Sequence, residues 1–188
     1  LDRLGALVEK SLVVAEGDRE PRYRLLESAR AFALEQLEAA GETAWMERRR
    51  AEAMRALVED FDAAIAREPR FDGLVQALEP EMDNLRAALR WAMATPAARH
   101  TALALLAASN ALWIELDPFG DAIAQYLVAR GWLDASVPAA LEARFRLAFQ
   151  AMARMRLMQP GEWRDSAWRA LELYRTLGDQ VGLYKALC

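Results

Sequence analysis

Four groups of side chains in this sequence could do chemistry, and the neighbours of each decide how it reads. His100 is the only histidine. A catalytic imidazole needs a nucleophile or an acid beside it, and the chain contains neither a GxSxG nor an HExxH arrangement. Between Arg99 and Thr101, His100 reads as an ordinary helix-start residue. Cys188 is the only cysteine, and no basic residue adjoins it to favour a thiolate. It reads as a buried structural thiol. Glu81, Asp83 and Asn84 imitate a metal cluster, but their spacing within one first helical turn suits capping and the positive end of the helix dipole better. Arg48-Arg49-Arg50 could touch phosphate, yet Glu47 and Glu52 flank the run, as on a solvated helix face. The residues themselves therefore predict no catalytic group, no metal site and no bound cofactor. The expectation is that this is not an enzyme.

Composition narrows the field further. The 188 residues are 54% hydrophobic and 28% charged, enough apolar material for a globular core. A formal net charge of -4 argues against broad electrostatic capture of nucleic acid. One cysteine cannot close an internal disulfide, so a reducing cytoplasm is the simpler setting. No signal peptide is visible, and no uncharged apolar run is long enough to span a bilayer. The sequence opens at Leu1 inside an amphipathic pattern, and Val181 to Cys188 read as the opening of a helix, so the chain is expected to be a fragment.

The elements that would position these residues are mostly helices. Leu1, Leu4, Leu7 and Val8 recur at helical spacing. Leu12-Val13-Val14 and Arg22-Tyr23-Arg24-Leu25 read as two strands around the polar segment Glu16 to Pro21. From Leu26 the period becomes helical, with Leu26, Ala29, Ala33, Leu37 and Ala40 on one face and Gly41 as the stop. A long helix is predicted from Thr43 to Arg67, with Met46, Ala53, Leu57, Phe61, Ala64 and Ile65 as its buried stripe and Pro69 ending it. Another starts near Pro80 with the stripe Met82, Leu85, Leu89 and Ala92, ended by Pro96. Further helices are predicted over 97–116, 119–129, 138–157 and 161–177. The six tryptophans are expected in the core and between helices.

From about Ala97 onward the pattern is helix pairs joined by short loops, the logic of a helical solenoid. Its clearest unit is 143–178. There Gly161-Glu162-Trp163 followed by Ser166 resembles the turn and small-residue position of a tetratricopeptide repeat, with Ala153 as the matching small residue of the first helix.

Three blocks extend that resemblance. The first is Leu4-x-x-Leu7-Val8-x-x-Ser11-Leu12-Val13 followed by Tyr23-Arg24-Leu25-Leu26-Glu27-Ser28-x-Arg30-x-Phe32-Ala33. The second is Glu81-x-Asp83-Asn84-Leu85-Arg86-x-Ala88-Leu89-x-Trp91-Ala92. The third is Leu173-Tyr174-Arg175-x-Leu177-Gly178-Asp179. In this order they resemble the region after the nucleotide-binding module of bacterial STAND-type (LuxR/AfsR-like) regulators, where a winged helix closes the ATPase module and a tetratricopeptide-like sensor region follows. The family often places histidine where this chain has Arg48-Arg49-Arg50. No GxxxxGK[ST] occurs, so the phosphate-cradling loop of that module is not in this chain.

The expected architecture is all-α: a helical array of antiparallel pairs over 43–188, preceded by the C-terminal part of a winged-helix domain over 1–42 with one β-hairpin. The resemblance implies a non-catalytic sensor part of a transcription regulator. It would bind a protein, peptide or small effector and transmit to the upstream ATPase module, with no direct nucleic-acid contact and no membrane. The alternatives are a passive repeat scaffold for complex assembly and a helical enzyme with its site across the groove. If Ala153 is the close-packing residue, Phe149 and Met152 point into the core, and Gln150 and Arg154 share a face that could meet a peptide backbone or carboxylate.

Overall fold

The computed structural model describes residues 2–17, 22–67, 72–117, 120, 122–155, 158 and 160–187. Residues 18–21, Pro69, Phe119 and Cys188 lie outside them. The described residues are predominantly helical with one two-stranded antiparallel sheet. They divide into two compact units, 1–48 and 49–188, with the boundary inside one long helix. None of the described helices is long and apolar enough to cross a membrane.

The first unit opens with α1 (Asp2–Glu9). Its end is a left-handed cap in which Ser11 takes φ 55° and the Leu12 N–H returns to the Leu7 carbonyl at 3.0 Å. Strands β1 (Val13–Glu16) and β2 (Arg22–Leu25) follow, paired Val13 to Leu25 through Glu16 to Arg22. Between the strands, Arg24 donates diagonally to Glu16 Oε1 at 3.1 Å. Helix α2 (Glu27–Ala39) buries no residue completely; of its anticipated apolar face it half-covers Ala29, Ala33 and Leu37, while Leu26 and Ala40 are exposed. Gly41, at φ 68°, ends it.

Helix α3 (Thr43–Ile65) crosses the unit boundary. Its buried residues are Ala51, Met54, Val58 and Phe61, which corrects the expected stripe: Met46 and Leu57 are exposed. The helix carries apolar residues at two sets of helical spacing, and periodicity alone does not say which set meets the core. Next comes α4 (Asp72–Leu78), whose 7 residues are too few to show a period in the sequence. The chain then makes a 3₁₀ turn over Glu79–Glu81, so Pro80 sits in that turn rather than at the start of the helix, and α5 (Met82–Ala94) begins at once. The α5 core face is Met82, Leu85, Ala88, Leu89 and Ala92, as its spacing predicts.

The stretch 97–116, expected as one helix, is a 3₁₀ turn at Pro96–Ala98, then α6 (Arg99–Ala108) and α7 (Asn110–Leu116), with a kink at Ser109. The Ser109 hydroxyl donates to the Leu105 carbonyl at 2.6 Å, and such back-bonding bends helices. That hydroxyl also accepts from Trp113 Nε1 at 2.8 Å. Helix α8 (Ala122–Arg130) follows, then α9 (Ala139–Met155), α10 (Pro160–Leu177) and α11 (Gln180–Leu187). The main core gathers α3 through α9, and Phe145, Phe149 and Met152 of α9 are buried in it. Helices α9 and α10 lie antiparallel: Arg169 reaches Glu142 at the start of α9, while Arg154 at its end lies over Trp163. Ala153 and Ser166 are both buried. Of the tryptophans, Trp113 is buried and Trp91, Trp132 and Trp163 are partly so, but Trp45 and Trp168 are exposed, which corrects the expectation for those two.

Helix α11 docks on α10 through Gly182. A Cβ at Gly182 would overlap the Tyr174 ring. Gly182→Ala therefore forces the two helices apart and should lower stability by about 1–3 kcal/mol, the usual cost of an overpacked contact. Chemical denaturation measures it, and an unchanged midpoint would mean that α11 yields without cost.

Candidate functional site

The second unit contains a groove of about 320 Å³ between α9 and α11. Helix α9 contributes Arg144, Leu147, Ala148 and Ala151, spaced as one helical face. The α6–α7 kink adds Ala107, Ala108, Asn110 and Ala111, and α11 adds Val181, Gly182 and Lys185. The five alanines make a shallow floor that lets a ligand main chain come close.

The polar rim is held by ion pairs between elements distant in sequence. Arg144 stands 3.2 Å from Asp62 and 3.8 Å from Glu59, both on α3. Lys185 is 4.0 Å from the other Asp62 oxygen. These side chains are about one-third exposed, so each pair contributes only about 0–1 kcal/mol. The turn from α10 into α11 follows from its residues. Gly178, at φ 70°, ends α10, and the Asp179 N–H returns to the Tyr174 carbonyl at 3.1 Å. The Asp179 carboxylate then accepts from the Gly182 N–H at 2.9 Å, capping α11.

Tyr174 lines this groove although only 4% exposed. Among the described residues its hydroxyl has no hydrogen-bond partner. Burial pushes its pKa up to about 12, with Asp179 and Asp62 adding to the rise and Arg144 opposing it. Asn110 accepts from the Tyr126 hydroxyl at 3.3 Å, so its own amide N–H groups are what it can donate. The groove thus combines a phenol, an amide, two cations and two carboxylates around an apolar floor.

The residues singled out from sequence lie elsewhere. Gln150 and Arg154 are on α9 about a quarter-turn from the groove face, at roughly 100° per residue. Gln150 is half-buried with its Oε1 lacking a hydrogen-bond partner among the described residues, and Arg154 lies 5.9 Å over the Trp163 ring. Phe149 and Met152 are buried, as expected. His100 is exposed in the first turn of α6. Asp134, near it, has its pKa lowered mainly by the Ser136 hydroxyl, which donates at 2.6 Å. Asn84 donates to Glu81 at 2.7 Å, and Asp83 pairs with Arg86 at 3.1 Å. No side-chain hydrogen bond caps α5, so of the two anticipated roles only the dipole effect of Asp83 fits. Arg48, Arg49 and Arg50 are exposed. Sequence reasoning did not find Asp62, Arg144 or Lys185, because nothing local links them. Tyr174, Gly178 and Asp179 stand in the third resemblance block, and that is the one signal that points to the groove.

A raised tyrosine pKa stabilises the fold below the unfolded value near 10, and that stability is lost as pH rises toward the folded value. Thermal melts from pH 9 to 11 should show declining stability, with a shallower decline in Tyr174→Phe. Equal slopes in the two proteins would remove Tyr174 from the account.

Over its whole length the chain is 33% identical to three proteins that bear the name "Putative HTH-type transcriptional regulator", one from Mycobacterium bovis and two from strains of Mycobacterium tuberculosis. The alignment runs over 204 residues and covers 100% of this chain but 22% of each relative, so the chain spans about a fifth of their length. No family model matches it. No solved structure matches it.

Proposed function

We propose that the chain is the regulatory, non-catalytic part of a cytoplasmic transcription regulator, and that the α9–α11 groove receives its effector, a protein, peptide or small molecule. The observation that carries this reading is similarity along all 188 residues to proteins named as HTH-type transcriptional regulators, of which such a segment is 22%. The finer reading follows the sequence resemblance. Residues 1–42 are the end of a winged helix, residues 43–188 a tetratricopeptide-like sensor array, and the parent a STAND-type ATPase. The buried pair Ala153 and Ser166 and the docking of α11 through Gly182 support the array. In this reading the fragment itself touches neither DNA nor nucleotide.

The groove is tested in the full-length regulator with Arg144→Ala/Lys185→Ala, read by promoter-reporter output with and without the activating signal. The expected result is loss of the response with DNA affinity unchanged. A parallel variant, Gln150→Ala/Arg154→Ala, tests the face first favoured from sequence. If both variants respond normally, neither face is the sensor, and the scaffold reading takes its place. The non-catalytic reading also expects no saturable ATP binding to the isolated chain in calorimetry. Binding there at micromolar concentration would overturn it.

A further inference from the structure

A second cavity in the same unit, about 730 Å³, shares no lining residue with the groove. It is walled by α5 (Arg86, Arg90, Met93), Trp113 of α7, Asp117 just after α7, and Gln125 of α8. We propose that this cavity binds a small aromatic carboxylate that carries an N–H or O–H donor.

Each part of that ligand answers a feature of the wall. The volume falls within the several hundred Å³ typical of small-molecule sites. Trp113 is 2% exposed and its Nε1 is committed to the Ser109 hydroxyl, so the small part of it that reaches the cavity wall is apolar ring surface. With the Met93 thioether beside it, that surface suits an aromatic ring. The two arginines differ. Arg86 is occupied, donating to Asp83 at 3.1 Å and Asp117 at 3.2 Å. Arg90, one turn further along the same face of α5, has no hydrogen-bond or ion-pair partner among the described residues. A guanidinium so placed at an apolar cavity matches a carboxylate, which it can hold by two parallel hydrogen bonds. Gln125 supplies the third requirement. Its Oε1 is buried with no hydrogen-bond partner among the described residues, and a ligand donor would satisfy it once the amide turns toward the cavity.

The test uses indole-3-acetate and 4-hydroxyphenylacetate as probes of the chain, followed by calorimetry and by tryptophan fluorescence. At least one should bind saturably with a Kd below about 1 mM, and its uncharged alcohol counterpart roughly tenfold more weakly. Arg90→Gln, an exposed position whose change leaves the core intact, should weaken the acid roughly tenfold and leave the alcohol unchanged. Gln125→Leu should abolish the preference for indole-3-acetate over 1-naphthylacetate, which lacks the donor. Arg144→Ala, in the groove, should change none of these affinities. Absence of binding by both acids, or equal affinity in Arg90→Gln, would overturn the proposal.

Discussion

The hydroxyl of Tyr126 donates to the Leu106 carbonyl at 2.6 Å inside a fully buried site, and its ring lies 5.7 Å from that of Phe145. This one side chain joins α6, α8 and α9. Burial drives its pKa far above the ordinary tyrosine value, so the phenol stays a neutral donor. Three residues beyond Leu106 the helix kinks at Ser109. The kink divides the duties of α7. Asn110 and Ala111 enter the groove, while Trp113, with Asp117 at the helix's C-cap, lines the second cavity. Both cavities therefore depend on the same buried hydrogen bonds, Tyr126 to Leu106 and Ser109 to Leu105, which fix where α6 stops and how α7 leaves it.

Much of the fold was legible where one helical face is apolar and the other polar. The stripe of α5 is an instance; the hairpin was legible as two short strands, but the alternation of Arg22 to Leu25, which reads as a half-buried strand, does not hold, since β2 is exposed at every residue. Legibility fails where the apolar residues are not confined to one face. Helix α3 has Met46 and Leu57 at helical spacing, yet it buries Ala51, Met54 and Val58. The alanine- and leucine-rich stretch after Pro96 is buried nearly all round, so no period marks its break. Ser109 is the cause, and a single serine in such a run is too common to read as a kink.

The groove was legible only at its last corner. Leu177-Gly178-Asp179 encodes a left-handed stop and then an N-cap, a local relation that sequence can express. Arg144 and Asp62 lie 82 residues apart, and their pairing is a property of how α3 and α9 pack. Gln150 and Arg154 stand beside the groove face on α9: Gln150 is half-buried, and Arg154 is exposed with its guanidinium 5.9 Å over the Trp163 ring.

The rim chemistry bears on how a ligand could move this unit. A switch needs contacts that differ between two states, and the free energy available is only that difference. Arg144 is shared by two carboxylates of α3, and Lys185 of α11 shares one of them. Because these groups are about one-third exposed, exchanging a carboxylate of α3 for one of a ligand costs little, about 1 kcal/mol or less per pair. The apolar contact of Tyr174 with Gly182 has no such substitute, since it is close enough that even a Cβ at Gly182 would overlap the ring. On the proposed reading, a ligand anion can therefore draw Arg144 and Lys185 from α3 while α10 and α11 stay packed together. The movable seam is then the one between α3 and the α9–α11 helices, and the seam inside the helix pairs remains fixed.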